Sequence, residues 1–262
     1  MMIIIIILLA AWWYNNFTLC VSETEIRSKK ISDEVTVVHL SDLHGAVYGK
    51  GNSRLISKVE KQNPDVIFIT GDMYTHGENG GTETALELMR ELAKEFDVFY
   101  VNGEHDYAYK NTSFFDELRS CGVNVMDYKD EVITVKNTQL HIYGITNAQY
   151  SGTFNLENAF KKDDKNFSVL LAHIPNFRKF ADFGIDLSLC GDTHGGMFRL
   201  PYIGAVYNGE KFLPELKGEY VKGLYELDGS LMYISGGLGN YPAPVRFCNR
   251  PEISVIKLLP EK

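Results

Sequence analysis

Cysteine is scarce in this 262-residue chain: Cys20, Cys121, Cys190 and Cys248 stand far apart and form no C-x-x-C pair. That excludes a zinc ribbon and argues against a disulfide framework, and it leaves the compartment unread. Basic clusters are missing as well, since the formal net charge is -8 and no Lys/Arg-rich stripe occurs. A nucleic-acid backbone needs such a footprint, so no nucleic-acid partner is expected. Small anionic substrates stay open, because metal ions can supply positive charge locally. No internal repeat and no low-complexity linker breaks the chain, which is long enough for one large domain with a substantial core.

What is present begins with an apolar run from Met1 to Tyr14. Left in water, such a run is unfavourable, yet it is shorter than the roughly 20 residues that span a bilayer. Phe17 to Val21 could extend it past Asn15 and Asn16. Trp12, Trp13 and Tyr14 suit an interfacial aromatic belt. A signal peptide is the rival, but no basic segment precedes the run, and Cys20-Val21-Ser22 is a weak cleavage site. Leu19 stands where a lipobox before Cys20 needs a small residue. Arg27, Lys29 and Lys30 favour a cytoplasmic domain by the positive-inside rule. The expectation is residues 1–22 as anchor or signal, 23–33 as a polar tether, and a membrane-associated or exported protein whose side is open.

The domain is then expected over residues 34–262. Val35 to Leu40, Val66 to Thr70 and Val98 to Val101 are buried-strand runs. They alternate with helical spacing over Ser53 to Gln62, Thr84 to Phe96 and Ser113 to Cys121, with Ser53 as N-cap and Thr84 and Glu87 as a capping box. The alternation implies a parallel sheet with crossover helices. Val132 to Val135 and Leu140 to Tyr143 flank Lys136 to Gln139 as an antiparallel hairpin. Ser168 to Ala172, Leu187 to Cys190, Leu224 to Leu227, Leu231 to Ile234 and Ile253 to Leu258 are further strands. The class is α/β, with two packed β-sheets flanked by helices.

Polar clusters follow these strands in a fixed order: Asp42-Leu43-His44, Gly71-Asp72, Gly103-Glu104-His105-Asp106, His173, and Gly191-Asp192-Thr193-His194. Asp42 and His44 are two apart, so an extended backbone would point both the same way. Ligands of open α/β sheets bind beyond the carboxyl ends of the strands. Convergence of so many metal-capable groups there reads as a two-metal hydrolase for phosphate esters.

These motifs resemble those of the calcineurin-like metallophosphoesterases, defined by Asp-x-His, Gly-Asp, Gly-Asn-His-(Asp/Glu), a histidine after a strand, and Gly-His-x-His. The likeness runs from about Val35 to Leu259 and is nearest the membrane-attached or exported bacterial branch. It includes Thr193-His194-Gly195-Gly196, running on from the last cluster, and Arg246 to Ile253 near the C-terminus. The resemblance implies a four-layer α/β/β/α sandwich and two divalent ions (Mn, Fe, Mg or Zn). By position it assigns Asp42, His44 and His194 to the first ion, Asp72 to both, and Glu104, His173 and Asp192 to the second. His105 falls at the catalytic histidine, with Asp106 as its orienting partner, and the implied reaction is in-line attack on phosphorus by a metal-bridging hydroxide.

Two positions depart from that pattern, since the family carries Asn where Glu104 stands and His where Asp192 stands. Four carboxylates in place of two would bring a formal +2 cluster to about neutral. Harder oxygen ligands favour Mn or Fe over Zn at the second site. A shifted but intact pair, a weakened second site and a non-catalytic relic are the three outcomes. Among the other residues, His39 reads as core, His141 as structural and His76 as a loop histidine, while Tyr74, Tyr107 and Tyr109 flank the motifs as pocket candidates. Arg246 is a candidate for touching phosphate, with an ion pair as the alternative. The expected substrate is a small phosphomonoester or phosphodiester. A nucleotide- or lipid-linked pyrophosphatase is the alternative.

Overall fold

The computed structural model describes residues 1–75, 81–106, 112–146, 154–207 and 211–261; His76, Tyr107 and Tyr109 lie outside them. Its strands are β1 (Cys20–Ser28), β2 (Val35–Leu40), β3 (Val66–Ile69), β4 (Val98–Tyr100), β5 (Asn124–Val125), β6 (Lys129–Val135), β7 (Thr138–Gly144), β8 (Phe167–Leu171), β9 (Leu187–Cys190), β10 (Phe198–Leu200), β11 (Gly204–Tyr207), β12 (Gly223–Leu227), β13 (Ser230–Ile234) and β14 (Glu252–Pro260). One six-stranded sheet has the order β1-β14-β2-β3-β4-β5 and the other β12-β13-β9-β8-β7-β6, with β10-β11 as a separate pair. The β-branched and aromatic runs met in the sequence supply most of these strands, and β6 and β7 pair antiparallel as the hairpin pattern predicts.

The helices are α1 (Met2–Phe17), α2 (Ser53–Glu60), α3 (Thr82–Leu92), α4 (Thr112–Ser120) and α5 (Phe177–Phe183). Val37, Phe68 and Phe99 from one sheet meet Ile142, Val169 and Leu189 from the other, forming the central core. Leu55 of α2, Leu88 of α3 and Leu118 of α4 cover the outer face of the first sheet. Phe177, Phe180 and Phe183 of α5 cover the second. The four layers are thus helices, sheet, sheet, helix.

Three expectations change. Of the expected tether 23–33, residues 23–28 lie in a strand, as do 20–22 of the expected anchor: β1 pairs in parallel with β14 over nine residues, from Cys20↔Glu252 to Ser28↔Pro260. Its polar side chains hide the strand from a hydrophobicity reading, because an edge strand is held by backbone bonds and exposes one face; Ile26 alone in it is buried. The helix predicted from Thr84 starts at Thr82 after a left-handed Gly81, so Thr84 is inside it and not its cap. Helix α2 likewise follows a left-handed Asn52 with no side-chain cap.

The apolar N-terminus is helical, and among the described residues no helix is long and apolar enough to cross a membrane. Its end is fastened to the domain. Trp12 Nε1 donates to Pro244 O at 2.8 Å. The buried Asn16 donates to Arg246 O at 3.1 Å and accepts from Arg246 N at 2.8 Å. The Arg250 guanidinium stands 4.4 Å over the Tyr14 ring. Only Thr18 and Leu19 separate α1 from β1.

Candidate metal centre

The parallel strands β2, β3 and β4 end on the side where β8 and β9 also end, and every predicted cluster follows one of them. The backbone there is not extended. Asp42, His44, Asp72, Asp192 and His194 have φ of 52, 46, 53, 70 and 49°. The shared direction of Asp42 and His44 therefore comes from two successive left-handed turns, a correction to the strand-alternation argument. The turns are tied across strands: Asp42 N donates to Gly71 O and His44 N to Asp72 O, both at 2.9 Å. Two glycines permit this closeness. A Cβ on Gly103 would stand 2.1 Å from Asp72 Oδ1, and one on Gly191 would stand 2.0 Å from Ser41 Oγ.

Asp42, His44 and His194 bring donor atoms within 4.8 Å of one another, and Glu104, His173 and Asp192 do the same. Asp72 joins both sets, its Oδ2 lying 3.6 Å from His44 Nε2 and 3.3 Å from His173 Nε2. The Nε2 atoms of His44 and His194 face each other at 3.1 Å. Two imidazoles sharing one tetrahedral ion at about 2.0–2.1 Å would hold their nitrogens about 3.3 Å apart. Second partners turn these rings: His173 Nδ1 donates to Thr70 O at 2.6 Å, and His44 Nδ1 meets Thr75 Oγ1 at 2.9 Å. Asp42 Oδ2, Glu104 Oε2 and His173 Nε2 are buried and make no well-formed hydrogen bond among the described residues, the last two facing each other at 3.2 Å. Orphaned polar atoms gathered at one spot fit cations between them.

Electrostatics point the same way. Among the described residues no lysine or arginine pairs with Asp42, Asp72, Glu104 or Asp192. Burial pushes Asp42 up to about 6 and Asp192 up to about 7. Burial also holds His44 down at about 4 and His194 well below the usual histidine value. Burial acts against ionised Asp72 and Glu104, yet the adjoining His173 keeps both carboxyls below their ordinary range.

His105 lines the mouth, with Nε2 4.0 Å from Asp72 Oδ2 and its backbone N donating to Asp72 Oδ1 at 2.9 Å. The cavity, ≈ 430 Å³, is floored by Asp72, Glu104, Asp192 and His194 and walled by Met197, Tyr207, Tyr241, Pro242 and Val245. Tyr241 stacks on His44 with ring centres 4.6 Å apart and meets His105 edge-on at 4.8 Å. Sequence reading missed Tyr241, Thr70 and Thr75, none of which carries a motif.

Three residues are placed otherwise than expected. Arg246 is buried and spends its guanidinium on loop carbonyls, donating to Gly236 O and Gly239 O at 2.7 Å; it neither faces the cavity nor makes an ion pair among the described residues. Asp106 accepts from Gly103 N at 3.0 Å and Tyr74 N at 3.1 Å, so it steadies the loop carrying Glu104 and His105 through backbone. Tyr74 is buried against Phe114 and donates to Asp106 O, away from the cavity. His39 is core and pairs with Thr70 Oγ1 at 2.7 Å, and His141 lies between Asp130 and Asp163; both are structural, as expected.

A family model described as calcineurin-like phosphoesterase matches residues 35–196. The chain is 28% identical over 238 residues to the uncharacterized metallophosphoesterase YkuE of Bacillus subtilis (strain 168), covering 86% of this chain and 79% of that one. It is 28% identical over 229 residues to the phosphodiesterase YaeI of Escherichia coli (strain K12), covering 85% and 82%. The 5'-nucleotidase precursor from Thermus thermophilus superposes with a TM-score of 0.47 at 13% identity, covering 86% of this chain and 54% of that one. With the strand-end site and its donor triads already in place, the match makes this chain a member of the calcineurin-like phosphoesterase family, a divalent-metal-dependent phosphoric ester hydrolase.

Proposed function

We propose that the site holds two divalent cations and hydrolyses a phosphomonoester or phosphodiester, with His105 as the proton donor. The observation that supports this best is the pair of donor triads, Asp42/His44/His194 and Glu104/His173/Asp192, with Asp72 between them. Asp42, His44 and His194 would hold one divalent ion and Glu104, His173 and Asp192 another, with Asp72 between them, and such ions would activate water and neutralise charge on the phosphoryl oxygens. The protein's part is positioning. Thr70 and Thr75 turn His173 and His44 so that each Nε2 faces inward. Asp72 holds the His105 backbone, which keeps the ring at the cavity mouth. From there Nε2 delivers its proton to the leaving oxygen as the ester P–O bond breaks.

Glu104 and Asp192 reach the same spot as His173, Glu104 Oε2 lying 3.2 Å from His173 Nε2. Their placement supports an intact second position, and its two carboxylates favour Mn or Fe over Zn. The test is turnover of bis(p-nitrophenyl) phosphate by purified protein with added Mn, alongside metal analysis. Asp72→Asn should remove turnover. His105→Gln should lower kcat about 10²–10⁴-fold while leaving metal content unchanged. Wild-type turnover in Asp72→Asn overturns the reading.

A further inference from the structure

Among the described residues, exposed apolar side chains stand on two segments linked to the walls of the metal site. On one, Met2 to Leu9 of α1 each leave at least 50% of their surface exposed. On the other, the β10–β11 hairpin and the segment after it present Tyr202 at 107%, Phe212 at 67% and Leu216 at 66%. Val245 and Phe247, on the segment that contacts both, are 55% and 40% exposed. Contacts tie these segments together. Trp12 is bonded to Pro244, the Phe247 ring stacks on Phe198 at 4.7 Å, and Phe247 N donates to Met197 O at 3.1 Å. They also lead inward: Val245 and Met197 wall the metal cavity, and Trp13 and Phe17 line an adjoining cavity of ≈ 470 Å³ that reaches His44.

A groove in a partner protein needs one apolar helix face, but α1 is apolar all round. Hydrocarbon satisfies such a helix without asking for a polar side. At 16 residues it is about 24 Å long, and it can be buried in hydrocarbon along its whole apolar length. Trp12, Trp13 and Tyr14 stand at its foot, where an interface would lie. Arg54, Lys58 and Arg250 gather around Phe17 and Leu19 at the same level, although the chain as a whole carries a net charge of -8. Cations placed there complement anionic headgroups.

We propose that this collar seats in an anionic bilayer surface and that the site takes its phosphate ester from a membrane lipid. The headgroup phosphate enters between α1 and the hairpin while the acyl chains stay in the bilayer. With phosphatidate, water adds to phosphorus, the bond from phosphorus to the glycerol oxygen breaks, and that oxygen takes the proton. Diacylglycerol and inorganic phosphate result. The proposal rests on the phosphoesterase reading and adds the substrate class to it.

The test uses the full chain with two readouts: co-sedimentation with phosphatidylcholine vesicles with and without phosphatidylglycerol, and phosphate release from phosphatidate in vesicles. Turnover of soluble bis(p-nitrophenyl) phosphate is followed in parallel. Binding should require the anionic lipid and weaken with salt. Ile4→Asp with Leu8→Asp, and separately Tyr202→Asp with Leu216→Asp, should each cut binding about tenfold and phosphatidate turnover with it. Soluble-ester turnover should not change. Soluble turnover without vesicle binding overturns the proposal and leaves the phosphoesterase reading standing, as does a dimer in sedimentation equilibrium that the α1 changes dissociate. Vesicle binding with no turnover of either ester overturns the phosphoesterase reading and, with it, the lipid substrate.

Discussion

Left-handed backbone at Asp42, His44, Asp72, Asp192 and His194 is unfavourable for L-residues by roughly 1–2 kcal/mol apiece. It persists because cross-strand amides and the neighbouring turns over-determine it. The residue types of the site are legible in the sequence, since Asp, His and Glu at strand ends announce metal chemistry. Their backbone is not, because a turn held by another strand leaves no local signature, and Tyr241 has no motif at all. Glu104→Asn with Asp192→His should shift metal preference toward softer ions such as Zn, read by competitive metal loading; unchanged content and activity would sink the carboxylate argument. His39, which is in neither donor triad, gives a pH prediction. Burial lowers it from 6.5 to about 3, so between those values the unfolded chain binds a proton that the folded chain does not. Stability therefore falls as pH drops below 6.5. Urea unfolding at pH 7 and pH 5 should show about 2 kcal/mol of the loss disappearing in His39→Gln.

At the scale of elements, strands buried on both faces were readable from unbroken apolar runs, and α3 and α4 from their spacing. Strand β1 was not, because its outward Val21, Glu23 and Glu25 alternate with half-buried polar residues and leave only Ile26 inside. A tether and an edge strand make opposite predictions for that residue. Ile26→Ala should lower stability by about 2–4 kcal/mol in chemical denaturation, whereas a tether position would change it by less than about 0.5 kcal/mol. The segment from Gly236 to Asn249 shows the same limit. Its order comes from the buried Arg246, which binds carbonyls in place of water, and a sequence motif cannot tell this from an arginine that binds phosphate. Arg246→Met should lower stability by about 3 kcal/mol and depress kcat through the displaced Tyr241, without the rise in KM that losing a phosphate contact produces. A stable variant with raised KM alone would restore the substrate-binding role.

For the whole molecule, the family and its layered architecture could be read from the order of five motifs, while the relation of the N-terminal helix to the catalytic face could not. That relation depends on contacts between residues more than 220 positions apart, such as Asn16 with Arg246 and Trp12 with Pro244. One feature of it sets a geometric condition. Two residues, Thr18 and Leu19, join α1 to a strand locked in register along its whole length, so the helix has no swivel. If α1 rests in lipid, the distance from the hydrocarbon to the metal floor is a constant of the fold. The enzyme then works as a depth gauge, accepting phosphates that stand at one height above the acyl layer and passing over the same chemistry on a longer headgroup.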